Sequence, residues 1–248
     1  MYEKATSEYF ELVMTELRTI LSLEGDDRAD LGQSIMNEIL NNGEPITIDV
    51  QHSRRDLFIG NKLFRPMAEI MYTVETIEEI SKYVRVFPHR KQNLSRLNYL
   101  KYHVSNYLNE IYILKNRLIA YITSIQRAYA KSHHTRNASK AIEPLFKLIS
   151  EVFKAYIDIR GSHVHEKRNS NKEFSRLSTL ELLSRSNDEF GVIMSEIYMK
   201  SFREIRKTWI LKMEKDVKAI HLLLEIYFST LKDIIFPENH LHVPDNYS

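Results

Sequence analysis

The chain has 248 residues, 43% of them hydrophobic, which is enough apolar material to bury a sizeable core. No cysteine is present, so disulfides and thiolate metal sites are excluded, and a reducing cytoplasm is the expected setting. The formal net charge of +2 hides an asymmetry: residues 1–80 hold 7 Lys and Arg against 16 Asp and Glu, a net of −9, whereas residues 81–248 hold 28 against 17, a net of +11. A basic body with an acidic arm suits a polyanionic partner on one face.

Met1-Tyr2-Glu3-Lys4 leads into a mixed charged segment rather than an apolar one, and no run approaches the roughly 20 apolar residues of a membrane span. A soluble cytoplasmic protein with no membrane partner is expected. Only 6 Gly and 6 Pro punctuate the sequence, and apolar residues recur at threes and fours, so the predicted class is all-α.

In chain order, residues 2–23 predict a helix with Phe10, Val13, Met14, Leu17, Ile20 and Leu21 on its apolar stripe. Gly25-Asp26-Asp27 offers a cap for a second helix to about Leu40, which Asn41-Asn42-Gly43 ends. Ile46, Ile48 and Val50 then alternate with Thr47, Asp49 and Gln51, the period of a short strand, either paired with Asp56 to Leu63 as a hairpin or left as an extended crossover. The helical rhythm resumes from Pro66 to about Val86 through Met67, Ile70, Met71, Val74, Ile77 and Ile80.

Asn93 to Lys131 runs without Gly or Pro, with one stripe through Leu94, Leu97, Val104, Leu108, Ile111, Leu118, Ile122 and Ile125 and a second through Leu100, Tyr107, Leu114 and Tyr121. Two stripes mean burial on two sides, as in a bundle. Lys131 to Lys140 is acid-free and reads as a basic, solvated loop; its His133-His134 pair is a poor metal site because adjacent helical residues point about 100° apart. Pro144 suits a first-turn position of the next helix, which runs through Leu145, Leu148, Ile149, Val152, Phe153, Tyr156 and Ile157 to Arg160. Asn169-Ser170-Asn171 predicts a turn, residues 172–185 a helix, and residues 190–236 a final helix burying Ile193, Ile197, Trp209, Ile210, Met213, Val217, Ile220, Leu223, Leu224, Tyr227 and Leu231, with a mobile polar tail after it. The fourteen tyrosines, at helical spacing, read as bundle core with hydroxyls at the rim.

The chemically dense stretch is Arg160-Gly161-Ser162-His163-Val164-His165-Glu166-Lys167-Arg168. A guanidinium forks onto phosphate and stays charged, while an imidazole titrates near neutrality and moves a proton. Five positions on a regular helix set Arg160 and His165 about 140° apart, so a break beside Gly161 is expected to bring them to one surface, and a two-fold axis would double the pair. Read without any relative in mind, the stretch is a polar interhelical turn. A zinc site at His163 and His165 is a poor fit, since alternate histidines share a face only on a strand.

Arg160, four intervening residues and His165, following an amphipathic helix in an all-α chain, resemble the Arg-x4–6-His signature of the HEPN superfamily. The helix around Tyr107 to Tyr112 and the continuation His165-Glu166 are similar to a group of bacterial HEPN-like proteins, over about residues 93–235. The resemblance implies an elongated up-and-down helical bundle, a homodimer, no cofactor, and metal-independent endoribonuclease activity in toxin–antitoxin or antiphage systems, with an antitoxin or defence partner. It implies that Arg160 holds the phosphate and that His165 is the general acid/base, with Asp158, His163, Glu166 and Glu110 in support and Lys167 and Arg168 on the RNA. Gly161 departs from the polar residue that active members often carry there, and some relatives only bind or scaffold. The expected organisation is an acidic helical region over 1–92, a HEPN-like bundle over 93–236 and a flexible tail over 237–248.

Overall fold

The computed structural model describes residues 4–21, 53–86, 95–130, 135–165 and 172–244, with the backbone alone at 21, 135–137, 155 and 157–165. Among these residues there is no strand, and the fold is all-α. The elements are α1 (Lys4–Leu21), α2 (Arg54–Leu57), a π-helical segment (Phe58–Phe64), α3 (Arg65–Arg85), α4 (Arg96–Tyr129), α5 (Thr135–His165), α6 (Lys172–Leu183) and α7 (Glu189–Ile235), followed by a 3₁₀ turn (Pro237–Asn239).

The predicted hairpin arm from Asp56 to Leu63 is helical instead. Ser53 caps it: its side chain accepts from the Asp56 amide and Asp56 accepts in return from the Ser53 amide, a reciprocal capping box. The π-helical segment then buries Phe58, Ile59 and Leu63, so the apolar residues that resemble a strand arm belong to a widened helix. The alternating residues at 46–51, the second helix toward Leu40 and the turn at 169–171 lie outside the described residues.

Two compact units are present. The first comprises residues 1–69, 120–145 and 224–248. Its centre is Tyr9, whose ring stacks on Phe228 at 5.0 Å and meets Phe236 edge-on at 5.8 Å. The Tyr9 hydroxyl donates to Tyr121 at 2.5 Å, and Tyr121 donates to the Leu63 carbonyl. The buried positions of α1 are thus Thr6, Tyr9 and Val13; Phe10, Met14, Leu17 and Ile20 of the predicted stripe are only half-buried. The Glu225 carboxylate accepts from the Ala5 and Thr6 amides and the Thr6 hydroxyl, satisfying first-turn donors that α1 cannot satisfy itself. The segment after α7 is anchored: Arg54 donates to the Pro244 carbonyl, Tyr129 to the His242 carbonyl, and Pro244 is buried, so residues 240–244 are not a loose tail.

The second unit comprises residues 70–119 and 146–223. Ile70, Met71, Val74, Ile77 and Ile80 of α3 are buried as their spacing predicts, as are both stripes of α4 within the unit. Phe174 of α6 stacks on Trp209 of α7 at 6.3 Å. Ile193 and Ile197, predicted to be core, are 48% and 38% exposed; Tyr198 and Phe202 take the buried positions on that part of α7. Gly191 is needed by close approach, since a Cβ there would lie 2.0 Å from the Ser186 carbonyl oxygen. Arg206 and Tyr99 donate to carbonyls at the end of α3, satisfying groups that have no intrahelical donor.

Candidate functional site

The helix that carries the motif starts earlier and ends later than its sequence indicates. α5 begins at Thr135, inside the stretch read as a solvated loop, which makes Pro144 an interior proline rather than a first-turn one. Its apolar face is fixed by Ile142, Leu145, Ile149 and Phe153, all buried. The helix then continues through Gly161 to His165, so the break expected after Arg160 is absent. Intrahelical hydrogen bonding with about seven helical turns behind it outweighs the roughly 1 kcal/mol that a glycine costs in a helix interior.

One turn before Arg160, Tyr156 ties α5 into the second unit. Its hydroxyl and that of Tyr107 on α4 both hydrogen-bond the Asp216 carboxylate on α7, the Tyr107 bond at 3.0 Å. Burial, with the Asp216 charge adding to it, pushes both phenols well above their ordinary range, so each is a fixed donor at neutral pH. The Lys212 ammonium sits over the Tyr156 ring at 5.1 Å and over the Trp209 ring at 5.0 Å. One carboxylate therefore joins three helices just before the motif. Asp216 and Lys212 were not singled out by sequence; their signal is only an i, i+4 pair on a long helix, which is common.

Asp158, Arg160, His163 and His165 occupy the last turns of α5, where the backbone alone is described. On a continuous helix the Arg160 and His165 positions are about 140° apart and Arg160 and His163 about 60°. Glu166, Lys167 and Arg168 lie outside the described residues, as do His133 and His134. Glu110 is half-buried on α4, three residues after Tyr107.

Among the described residues no group of three or more His, Asp or Glu side chains is placed to hold a metal ion. No described helix is long and apolar enough to cross a membrane. A cavity of about 300 Å³ in the first unit is lined by Tyr129, Ala138, Asp233, Ile234, Pro237 and His242, with the His242 ring stacked on Tyr129 at 5.7 Å. An open depression in the second unit is lined by Ser184, Ser186, Gly191, Ser195, Lys200 and Arg203.

No protein-family model, curated protein or solved structure matches the chain.

Proposed function

We propose that the chain is a HEPN-like, metal-independent endoribonuclease that acts as a homodimer, with the end of α5 of each copy facing the other. The observation that carries this reading is the placement of Arg160, His163 and His165 on the last turns of one helix, in an all-α chain whose residues 81–248 carry a net charge of +11. The uninterrupted helix makes a composite site the consistent arrangement: positions about 140° apart on one helix converge on a phosphate when a second copy supplies the complementary member.

In that site His165 of one copy takes the proton from a ribose 2′-hydroxyl. The oxygen attacks the adjacent phosphorus, the bond to the 5′-oxygen breaks, and His165 of the other copy protonates the leaving oxygen. The products are a 2′,3′-cyclic phosphate and a 5′-hydroxyl. Arg160 holds the phosphate and offsets the charge that builds on it. A toxin–antitoxin or antiphage role, with a partner that restrains cleavage, belongs to the same reading.

The test is cleavage of RNA by purified protein in excess EDTA. Cyclic-phosphate ends are expected from wild type, and His165→Ala is expected to reduce the rate by at least about 100-fold. Equal degradation by wild type and variant overturns the assignment. The second reading, a catalytically silent helical interaction module, is favoured by Gly161 lying within a continuous helix; absence of cleavage in both proteins supports it.

A further inference from the structure

From Ser81 to Asn109 the sequence contains no acidic residue, six Lys and Arg (Lys82, Arg85, Arg90, Lys91, Arg96, Lys101) and the tyrosines Tyr83, Tyr99, Tyr102 and Tyr107. The fold gathers three of those tyrosines around one imidazole. Tyr99, Tyr102 and His103 stand at i, i+3 and i+4 on α4, and Tyr83 approaches from the last turn of α3. The His103 ring centroid lies 4.3 Å from that of Tyr99, 5.2 Å from Tyr102 and 5.5 Å from Tyr83.

This cluster is not core. Tyr102 is 63% and Tyr83 49% exposed, and Val86 beside them is 67% exposed. Tyr107, one turn further along α4, is fully buried with its hydroxyl on Asp216, so the exposed rings differ from those that fill the bundle. His103 is half-buried, and its Nδ1 is shielded from solvent with no hydrogen-bond partner among the described residues. Desolvation lowers its affinity for a proton, which keeps the ring neutral at physiological pH.

Two of the nearby cations have acidic partners, Arg85 with Glu214 and Lys82 with Glu79. Arg206 donates to the end of α3, and Arg203 and Lys207, on either side of it in sequence, are exposed on α7. Exposed aromatic faces on a basic, acid-free stretch of chain are what a single strand needs: rings take the bases, and Lys and Arg follow the phosphates. A duplex, with its bases already stacked, gains nothing from the rings.

We infer that Tyr83, Tyr99, Tyr102 and His103 form a base-stacking platform for single-stranded RNA. The choice of RNA as the polymer rests on the endoribonuclease reading; the recognition itself is by ring faces and does not require cleavage.

A fluorescein-labelled 2′-O-methyl oligouridine of about 12 nucleotides separates the two questions, because it has no free 2′-hydroxyl to attack. Wild type is expected to bind it, and Y83A/Y102A to bind about tenfold or more weakly, since stacking is lost at two positions. Y83F/Y102F, which keeps the rings, is expected to stay within about twofold of wild type. Because both side chains are largely exposed, the alanine variant is expected to keep the wild-type melting temperature, which a parallel melt checks. Equal affinity of wild type and Y83A/Y102A overturns the platform, as does equal binding of a duplex of the same length. A wild type that ignores the oligonucleotide overturns it too and leaves the rings as a protein-docking surface. Because the 2′-O-methyl probe cannot be cleaved, its binding is read independently of any loss of cleavage.

Discussion

Asp216 accepts from two phenols that burial has made into permanent donors, so its removal strands them. Asp216→Ala is expected to destabilise the protein by about 1.5–3 kcal/mol, the cost of hydrogen bonds to a charged group and of leaving the buried Tyr107 hydroxyl unmet. Urea unfolding checks this, and the double variant Asp216→Ala/Tyr107→Phe is expected to lose less than the sum of the two single changes. Periodicity alone did not disclose this tie, nor the Tyr9–Tyr121 bond between residues 112 apart. It places Tyr107 and Tyr121 on a stripe, and both are buried, but a tyrosine at a core position looks the same whether its hydroxyl reaches solvent or another helix. The cluster of Tyr83, Tyr99 and Tyr102 is legible in principle as a basic, acid-free run with aromatics at i and i+3, but charge counted over long segments averages that run away.

The long helices α3, α4 and α7 follow their apolar spacing, because three and four residue repeats over twenty or more positions leave one way to bury the stripe. Where the prediction failed, a local signal competed with the pattern. Ser53-x-x-Asp56 is a helix start, and it makes the stretch from Asp56 to Leu63 helical where a hairpin arm is one of the two expectations. Pro144 has the look of a first-turn proline, yet α5 begins nine residues earlier. An interior proline lacks an amide for the carbonyl one turn back, at a cost of up to about 3 kcal/mol against alanine. Pro144 is exposed, so Pro144→Ala is expected to stabilise α5 by about 1–3 kcal/mol without disturbing packing, seen as a higher melting temperature. The motif lies on the same helix, and the glycine that looked like its stop is carried through to His165.

At the scale of the molecule, buried phenols set an alkaline limit. Tyr9 and Tyr227 of the first unit are held neutral well above their usual range by desolvation, with neighbouring phenols adding to it, and Tyr107 of the second likewise. A folded pKa raised above the unfolded value of about 10 means that this stabilisation is complete below about pH 10 and declines as pH rises beyond it. The expected observation is tyrosinate absorbance from these residues appearing together with loss of helical circular dichroism, rather than before it. The all-α class was legible because composition and period agreed over the whole length; the division into two units was not, because each unit is assembled from separated stretches of chain. That assembly constrains synthesis. α1 docks through Ala5, Thr6, Glu8 and Tyr9 onto Glu225, Lys232, Phe228 and Phe236, and Glu225 is translated 220 residues after Ala5. Until those codons are read the nascent chain holds α1 without a seat, so a prematurely terminated product is a substrate for chaperones and proteases rather than a partially working protein.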